Sequence, residues 1–296
     1  MAAERRTAPR RRGGRTEKVL VQRYGPDAPN GRTPDELIVE EPLSIELDGT
    51  LIATTMRTPG HDFELAAGFC SSEGLLGAAT IRGCRYCGTG PAVETEFNVV
   101  TVETDGLGPP PVARLTTTSS SCGLCGTSSI EELIARLQPL IHAEPFPLDL
   151  LAQLPARAAA DQPLFTTTGA VHAAAAFDRS GELVLLREDI GRHNAVDKVV
   201  GRLLLDGRVG PTARAGPTPA DMALYVSGRA SFEMVQKAWA AGFAAVVAVS
   251  APSALAVRTA EVARLQLAGF ARAGRLNEYV SGQGRSAGEP LDRVAR

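Results

Sequence analysis

Two cysteines separated by two residues, Cys122 and Cys125, are the part of this sequence best suited to covalent chemistry. A glycine follows each thiol, and glycines give a loop a conformational freedom that a packed strand would not use. Two serines downstream each stand three residues before a glutamate, which predicts a helix beginning near residue 129. Because unpaired amides at a helix start favour negative charge, a thiol there is expected to react as the thiolate.

Three interpretations of this pair are open at the level of sequence: reactive thiols, half of a zinc site, or two structural side chains. A second pair, Cys84 and Cys87, lies 34 residues before the first. Two such pairs resemble a four-cysteine zinc ribbon, although the usual separation is about 15–20 residues. Cys70 falls on the apolar face of a short predicted helix and is predicted to fill the core. The chain has five cysteines, and an odd number with two close pairs favours reduced thiols over a disulfide scaffold.

Polar and basic residues follow the predicted strands, where a phosphate or another anion could bind. Arg192 and His193 stand at a predicted helix start. One interpretation is a site that binds an anion or performs acid–base chemistry. The alternative is that Asn194 caps the helix and His193 hydrogen-bonds to a backbone group. A second group of this type consists of Ser227, Gly228 and Arg229. A third, suited to a pyrophosphate, consists of Phe270, Ala271, Arg272, Ala273, Gly274 and Arg275.

The spacing of apolar residues predicts the elements that position these groups. The pattern predicts a β-hairpin over residues 42–56, with its turn at Asp48-Gly49, and a short helix over residues 63–69. A stretch rich in predicted strands follows and ends near residue 102. Strands at 183–186, 224–226 and 243–249 each precede a helix, and these helices end near 207, 241 and 265. His172 is predicted in a strand beside the same sheet, as a core histidine or a ligand contact. Open α/β sheets bind ligands at the carboxyl ends of their strands, so a pocket is expected there.

The fold class predicted from this alternation is α/β, with a smaller α+β domain before a larger sheet-and-helix domain. The predicted boundaries are a disordered basic arm at 1–19, the α+β domain at 20–115, a mobile CxxC loop at 116–128, the larger domain at 129–281 and a flexible tail at 282–296. Six arginines crowd the first fifteen residues without an apolar run, which favours a solvated arm over a signal peptide or a nucleic-acid-binding segment.

Composition excludes several classes of protein. The hydrophobic share is 44%, the charged share is 22% and the formal net charge is −2, which are ordinary values for a soluble globular protein. This balance gives no general attraction to nucleic acids or anionic membranes. The alanine-rich stretches are interrupted by polar residues before they reach the length of a membrane span. We therefore expect a cytoplasmic protein with neither a membrane nor a nucleic acid as its partner.

In this order, the motifs resemble the formate dehydrogenase accessory sulfurtransferase family, FdhD. The matching segments lie at residues 58–62, 64–69, 121–126, 168–172, 187–198, 227–229 and 270–275. They cover nearly all of the chain between about 30 and 280. Several of these segments are weak evidence on their own, whereas the whole set in this order is specific to the family.

The resemblance implies a sulfurtransferase that carries sulfur as a cysteine persulfide. The sulfur would come from a cysteine desulfurase and go to the molybdenum cofactor, in its bis-guanine-dinucleotide form, that formate dehydrogenase requires. The resemblance also implies a homodimer, a cytidine deaminase-like larger domain and a site for guanine nucleotides. Cys122 matches the persulfide cysteine of the family, Cys125 its companion, and residues 270–275 the cofactor-binding segment. The basic and polar groups around His172, Arg192 and Ser227 are expected to assist, and no permanently bound metal is expected.

Two other functions stay open. One is a non-catalytic, zinc-stabilised assembly adaptor for a molybdoenzyme, with the cysteines as metal ligands. The other is a thioredoxin-like dithiol oxidoreductase, which predicts a helix that continues directly from the cysteine pair. Deaminase chemistry is not expected, because Ser121 stands where zinc deaminases have a proline before the Cys-x-x-Cys pair.

Overall fold

The computed structural model describes residues 14–86, 97–109, 131, 133, 135–141, 144–209 and 218–282. Cys87, Cys122 and Cys125 lie outside these residues, as do the predicted CxxC loop, the predicted helix start at 129 and all of the predicted tail except residue 282. Residues 131, 133, 135 and 136 are helical, within the helix that the sequence predicts after the cysteine pair.

The described chain forms strands and helices in a mixed α/β order. The strands are β1 (Thr16–Gln22), β2 (Arg32–Ile38), β3 (Glu41–Leu47), β4 (Thr50–Arg57), β5 (Gly83–Tyr86), β6 (Val99–Glu103), β7 (His172–Phe177), β8 (Leu183–Asp189), β9 (Ala223–Val226), β10 (Ala245–Ala248), β11 (Gln266–Arg272) and β12 (Arg275–Val280). The helices are α1 (Asp62–Ser72), α2 (Leu148–Ala159), α3 (Pro163–Thr168), α4 (Arg192–Leu205), α5 (Phe232–Ala241) and α6 (Ala254–Ala263), with a short 3-10 helix at Pro219–Asp221.

A four-stranded sheet in the order β4-β3-β6-β5 contains the predicted hairpin. Strands β3 and β4 pair antiparallel around Asp48 and Gly49, whose φ angles are 47° and 83°. The alternating residues Leu43, Ile45 and Leu47 are buried, as the period of two requires of a strand with one face on the core. Cys70 on α1 packs into the same core, which confirms its predicted role.

A six-stranded sheet in the order β12-β11-β10-β9-β7-β8 forms the larger unit. Strands β9, β10 and β11 are parallel, and β7 is antiparallel to both of its neighbours, so β8 runs in the same direction as β9. Helices α4, α5 and α6 pack on one face and α2 packs on the other. The carboxyl ends of β8 to β11 therefore meet at one edge, together with the first residues of β7 and β12.

Helix α1 joins the two sheets by packing closely on α4. An added Cβ on Gly68 would lie 1.9 Å from the carbonyl oxygen of Asp197, and one on Gly201 would lie 1.8 Å from that of Glu64. Only glycine allows two helix backbones to approach this closely. Nearby, the buried Lys198 ammonium donates to the carbonyl of Thr58 at 2.9 Å and lies 2.6 Å from the Asp189 carboxylate.

One prediction needs correction, two helices were not predicted, and two predicted domain boundaries lie outside the described residues. Strand β1 begins at Thr16, so residues 16–19 belong to a two-stranded ribbon with β2 and not to the predicted arm. The structure also contains helices α2 and α3, in a part of the chain for which the sequence analysis predicts no element. The predicted boundaries near 115 and 128 lie outside the described residues. Among the described helices, none combines the length and the apolar character that a bilayer crossing requires.

Candidate functional site

Backbone hydrogen bonds extend the six-stranded sheet past its strand ends and form a continuous edge. The amide of Ser227 donates to the carbonyl of Ala173 at 2.9 Å, and the amide of Ser250 donates to that of Gly228 at 3.2 Å. The amide of Phe270 donates in turn to the carbonyl of Ser250 at 3.2 Å. This edge brings the loops after β9, β10 and β11 side by side, at the place where open α/β sheets bind ligands.

His172 is the first residue of β7 and lies at this edge. Its Nδ1 atom is 3.5 Å from Oγ of Ser227, which also accepts a hydrogen bond of 2.9 Å from the amide of Ala173. Burial lowers the pKa of His172, and the neighbouring Arg192 and His193 lower it further. A neutral imidazole can accept or donate a hydrogen bond at one ring nitrogen while the other faces Ser227.

Arg192 is the first residue of α4, so its side chain starts at the positive end of a helix of 14 residues. Its Nε atom is buried and has no hydrogen-bond partner within the described residues. Its Cδ atom lies 3.9 Å from the position that a Cβ on Gly228 would occupy, so the guanidinium stem runs past the loop after β9. An unpaired buried donor is costly, and an oxygen of a bound anion would satisfy it.

His193 contacts a residue that sequence analysis missed. Its Nε2 atom lies 2.5 Å from Oε2 of Glu233, in the first turn of α5. This close contact with His193 lowers the pKa of Glu233 and outweighs the opposing effect of burial. A glutamate in the first turn of a helix is so common that its position gives no signal of a site.

The alternative interpretation of the segment around His193, in which Asn194 caps α4, is wrong. Gly191 is the N-cap residue of α4, and no side chain caps the helix. The Asn194 amide instead donates to the carbonyl of Met56 at 2.7 Å and to Oδ1 of Asp189 at 3.0 Å. Asn194 therefore ties the loop to the end of β4, and His193 is left to face Glu233.

The segment 270–275 consists of the last three residues of β11, a two-residue turn and the first residue of β12, so it forms the tip of a β-hairpin. Phe270, Ala273 and Gly274 have φ angles of 51°, 50° and 71°, and the two strands slip register between Gly269 and Arg272. Two non-glycine residues in the left-handed region carry a conformational cost, which is typical of functional turns.

Two arginines face each other at this hairpin tip. Arg272 pairs directly with Arg275 across the strands, and both side chains are exposed. Like charges directly opposite in a sheet repel, so an anion between them would relieve the pair. The side chain of Ala271 is buried in the core, so only its backbone can face a ligand. Arg229 is exposed at the same sheet edge.

The two cysteines that the structure describes are poor nucleophiles. Burial raises the pKa of Cys70 above its usual range. Burial, together with the Glu103 carboxylate, raises the pKa of Cys84 to about 11. Within the described residues, no group of three or more His, Cys, Asp or Glu side chains is placed to hold a metal ion. Three of the four cysteines that the zinc adaptor would use lie outside those residues.

Comparison with known proteins supports the resemblance seen in the motifs. A model of the FdhD/NarQ family matches residues 38–286. A sulfur carrier protein FdhD from Anaeromyxobacter dehalogenans is 47% identical over 260 residues, which cover 86% of this chain and 89% of that protein. Another, from Streptomyces avermitilis, is 47% identical over 276 residues, which cover 89% and 93%.

A solved structure is similar over nearly the whole chain. It is a crystal structure described as a formate dehydrogenase accessory protein from Desulfotalea psychrophila, with a TM-score of 0.64, 25% sequence identity, and coverage of 90% of this chain and 96% of that one. The mixed α/β architecture and the order of the motifs thus agree with the family match, and the chain belongs to the FdhD/NarQ family.

Proposed function

We propose that this protein is a sulfur carrier in the maturation of formate dehydrogenase. Cys122 takes sulfur from a cysteine desulfurase as a persulfide and delivers it to the molybdenum cofactor in its bis-guanine-dinucleotide form. The observation that carries the proposal is the Cys122-Gly-Leu-Cys125 sequence in a chain 47% identical to proteins named sulfur carriers. The protein is expected to work in the cytoplasm as a homodimer.

The first chemical step needs only a thiolate and a donor persulfide. The Cys122 thiolate attacks the terminal sulfur of the donor, the donor S–S bond breaks, and the donor cysteine leaves as a thiolate. Neither an external oxidant nor a reductant is consumed, because one persulfide replaces another. The high pKa values of Cys70 and Cys84 disfavour those two thiols for the step, which supports a role for the glycine-flanked pair.

The charges at the sheet edge support an anionic acceptor. The unpaired Nε of Arg192 and the exposed side chains of Arg229, Arg272 and Arg275 stand at the carboxyl ends of the strands. Arginine binds phosphate oxygens through paired N–H groups, so these side chains suit the phosphates of a guanine dinucleotide. The backbone at Gly228 and Gly274 and the side chains of His172, His193 and Ser227 complete the proposed site.

Mass spectrometry of the intact protein tests the donor step. After incubation with a cysteine desulfurase and cysteine, we expect a gain of one sulfur atom that maps to Cys122 and is absent from Cys122→Ala. Cys84→Ser, which also removes one thiol, is the matched control and should load normally. Cys125→Ala should load less, and its remaining gain shows whether Cys125 receives sulfur.

Two results would contradict the proposal. The first is a wild-type protein that gains no sulfur, and the second is a Cys122→Ala variant that loads and matures formate dehydrogenase normally. Near-stoichiometric zinc in the purified protein would favour the assembly adaptor, with the cysteines as ligands.

A further inference from the structure

A carboxylate lies at the sheet edge to which the proposed function assigns an anion. Glu233 is in the first turn of α5, and its Oε2 atom lies 2.5 Å from Nε2 of His193 on α4. The His193 side chain is 19% exposed and the Glu233 side chain 41%, so a ligand at the edge can reach both. A negative charge acting alone would repel an anion. A carboxylate at this position is therefore favourable to binding only if it acts through a neighbouring cation.

The starts of α4 and α5 lie side by side here, and they carry buried polar atoms that a ligand could satisfy. Arg192 is the first residue of α4, and Ser231 is the N-cap residue of α5. Within the part of the chain that the structure describes, the buried Nε of Arg192 and the buried Oγ of Ser231 make no hydrogen bond. Unpaired buried groups are costly, and the oxygens of an anion accept from both kinds of donor.

A buried ion pair fixes the register of α4 against α5. Asp197 stands four residues after His193, and Lys237 stands four residues after Glu233, so a second pair lies one turn further along both helices. The Lys237 ammonium donates to both carboxylate oxygens of Asp197 at 2.9 Å, and both side chains are buried. Supporting contacts of this kind hold a functional side chain in one geometry. Glu233 is therefore held opposite His193.

His172 does not supply a positive charge at this edge. Burial lowers the pKa of His172, and Arg192 and His193 lower it further. Asp189 on β8 also faces His172, but the buried Lys198 ammonium lies 2.6 Å from that carboxylate. His193 is therefore the histidine that can carry charge beside Arg192.

Glu233 favours the protonated form of the His193 ring. The contact with His193 lowers the pKa of Glu233 against the effect of burial, and Lys237 and Arg192 lower it further, so Glu233 is a carboxylate at neutral pH. A carboxylate this close to an imidazole stabilises the charged ring. An imidazole donates from both nitrogens only when it is protonated. With Nε2 at Glu233, Nδ1 can donate to an anion only in that form.

We propose that Glu233 is a positioning residue, which holds His193 as a charged imidazole whose Nδ1 atom donates to a phosphate oxygen of the anionic acceptor. This inference rests on the proposed function, because the acceptor is the guanine dinucleotide named there. Glu233 does not itself touch the ligand. Through His193 it adds a second cationic donor beside Arg192 at the start of α4.

GDP binding at two pH values tests this role. An ordinary histidine is only about one-quarter protonated at pH 7, so Glu233→Gln should weaken GDP binding about four-fold or more in calorimetric titrations at that pH. His193→Gln should weaken it about ten-fold, and the double variant should bind no more weakly than His193→Gln, because both changes act through one ring. At about pH 5.5 the ring is protonated without help. Glu233→Gln should there return to within roughly two-fold of wild type at the same pH, whereas His193→Gln should not.

Glu261→Gln is the matched control, because it removes a partly buried carboxylate from the last turn of α6, away from the sheet edge. It should bind GDP as wild type does at both pH values. Tighter GDP binding in Glu233→Gln would show that Glu233 acts only as a negative charge. An equal loss at both pH values would show a structural role, and either result overturns the proposal.

A second measurement separates this inference from the proposed function. In the nucleotide-free protein, NMR of the imidazole nitrogens should show that His193 keeps its proton to a higher pH in wild type than in Glu233→Gln. Identical titrations in the two proteins would overturn the proposal, whether or not GDP binds. A wild-type protein that binds no GDP but shows this NMR difference would instead overturn the acceptor site of the proposed function and leave the effect of Glu233 on His193 standing.

Discussion

Cys70 is fully buried and Cys84 is half-buried, and this burial determines the chemistry of their thiols. Cys70 lies on α1 within the core of the four-stranded sheet, and Cys84 packs against the same core from β5. A thiol in apolar surroundings keeps its proton, because the thiolate would lose its hydration without gaining a partner. Neither thiol has the surroundings of a sulfur acceptor.

Alkylation with iodoacetamide tests this at the level of single residues. With a pKa of about 11, about one Cys84 side chain in a thousand is a thiolate at pH 8. We expect Cys84 and Cys70 to remain unlabelled in the native protein at that pH and to label rapidly in urea, as measured by peptide mass spectrometry. Rapid native labelling of Cys84 would show that it is available for transfer.

The arginine pair at the hairpin tip should bind phosphate. Each charge-assisted hydrogen bond contributes about 1.5–3 kcal/mol, so Arg275→Ala and Arg272→Ala should each weaken GDP binding about ten-fold or more in calorimetric titrations. Arg258→Ala, an exposed arginine on α6, is the control and should bind GDP normally. Sulfur loading on Cys122 should survive in all three variants. Unchanged affinity in both hairpin variants would place the nucleotide elsewhere.

Residue types and spacing predict the candidate site only in part. The sequence indicates Arg192 and His193 because their types suit an anion at a helix start. It gives no sign of Glu233, which meets His193 only through the packing of α5 beside α4. It also includes Ala271 in a binding segment, although the strand period turns that side chain into the core.

At the scale of elements, the sequence predicts the strands and helices whose apolar periodicity is strong. The hairpin at 42–56, helices α4, α5 and α6, and strands β8, β9 and β10 all form near their predicted positions. The periodicity does not reveal that β7 inserts between β8 and β9, because four consecutive buried alanines show neither period. Sheet order depends on contacts between distant segments, which local spacing does not encode.

The packing of α1 on α4 requires glycine at position 201. An added methyl group would overlap the carbonyl oxygen of Glu64, and overpacking of this kind costs about 1–3 kcal/mol or more. Gly201→Ala should therefore lower the melting temperature by roughly 5–10 °C, as measured by circular dichroism. Gly83→Ala is the control, because the nearest atom to its added Cβ is 3.6 Å away. Equal melting temperatures in the two variants would contradict this account of the helix contact.

At the scale of the whole molecule, an ion pair between Glu64 and Arg187 joins helix α1 to the six-stranded sheet. Glu64 on α1 accepts hydrogen bonds from Arg187 on β8, at 2.6 Å from Nε and 2.9 Å from Nη2. Burial disfavours the charged carboxylate, but the hydrogen bonds from Arg187 and His61 outweigh it and lower the pKa of Glu64 to about 2. Bidentate geometry makes this pair stronger than an exposed ion pair.

This pKa predicts how stability depends on pH. The folded-state pKa of Glu64 is lower than its usual value of 4.5, so the ion pair stabilises the protein fully above about pH 4.5, and this contribution disappears as the pH falls toward 2. At pH 7, Glu64→Gln should lose on the order of 3 kcal/mol of unfolding free energy in urea titrations. The deficit should shrink between pH 4.5 and 3, whereas the exposed control Glu182→Gln should match wild type throughout. A deficit that stays constant from pH 7 to pH 3 would mean that the Glu64 charge does not hold the two sheets together.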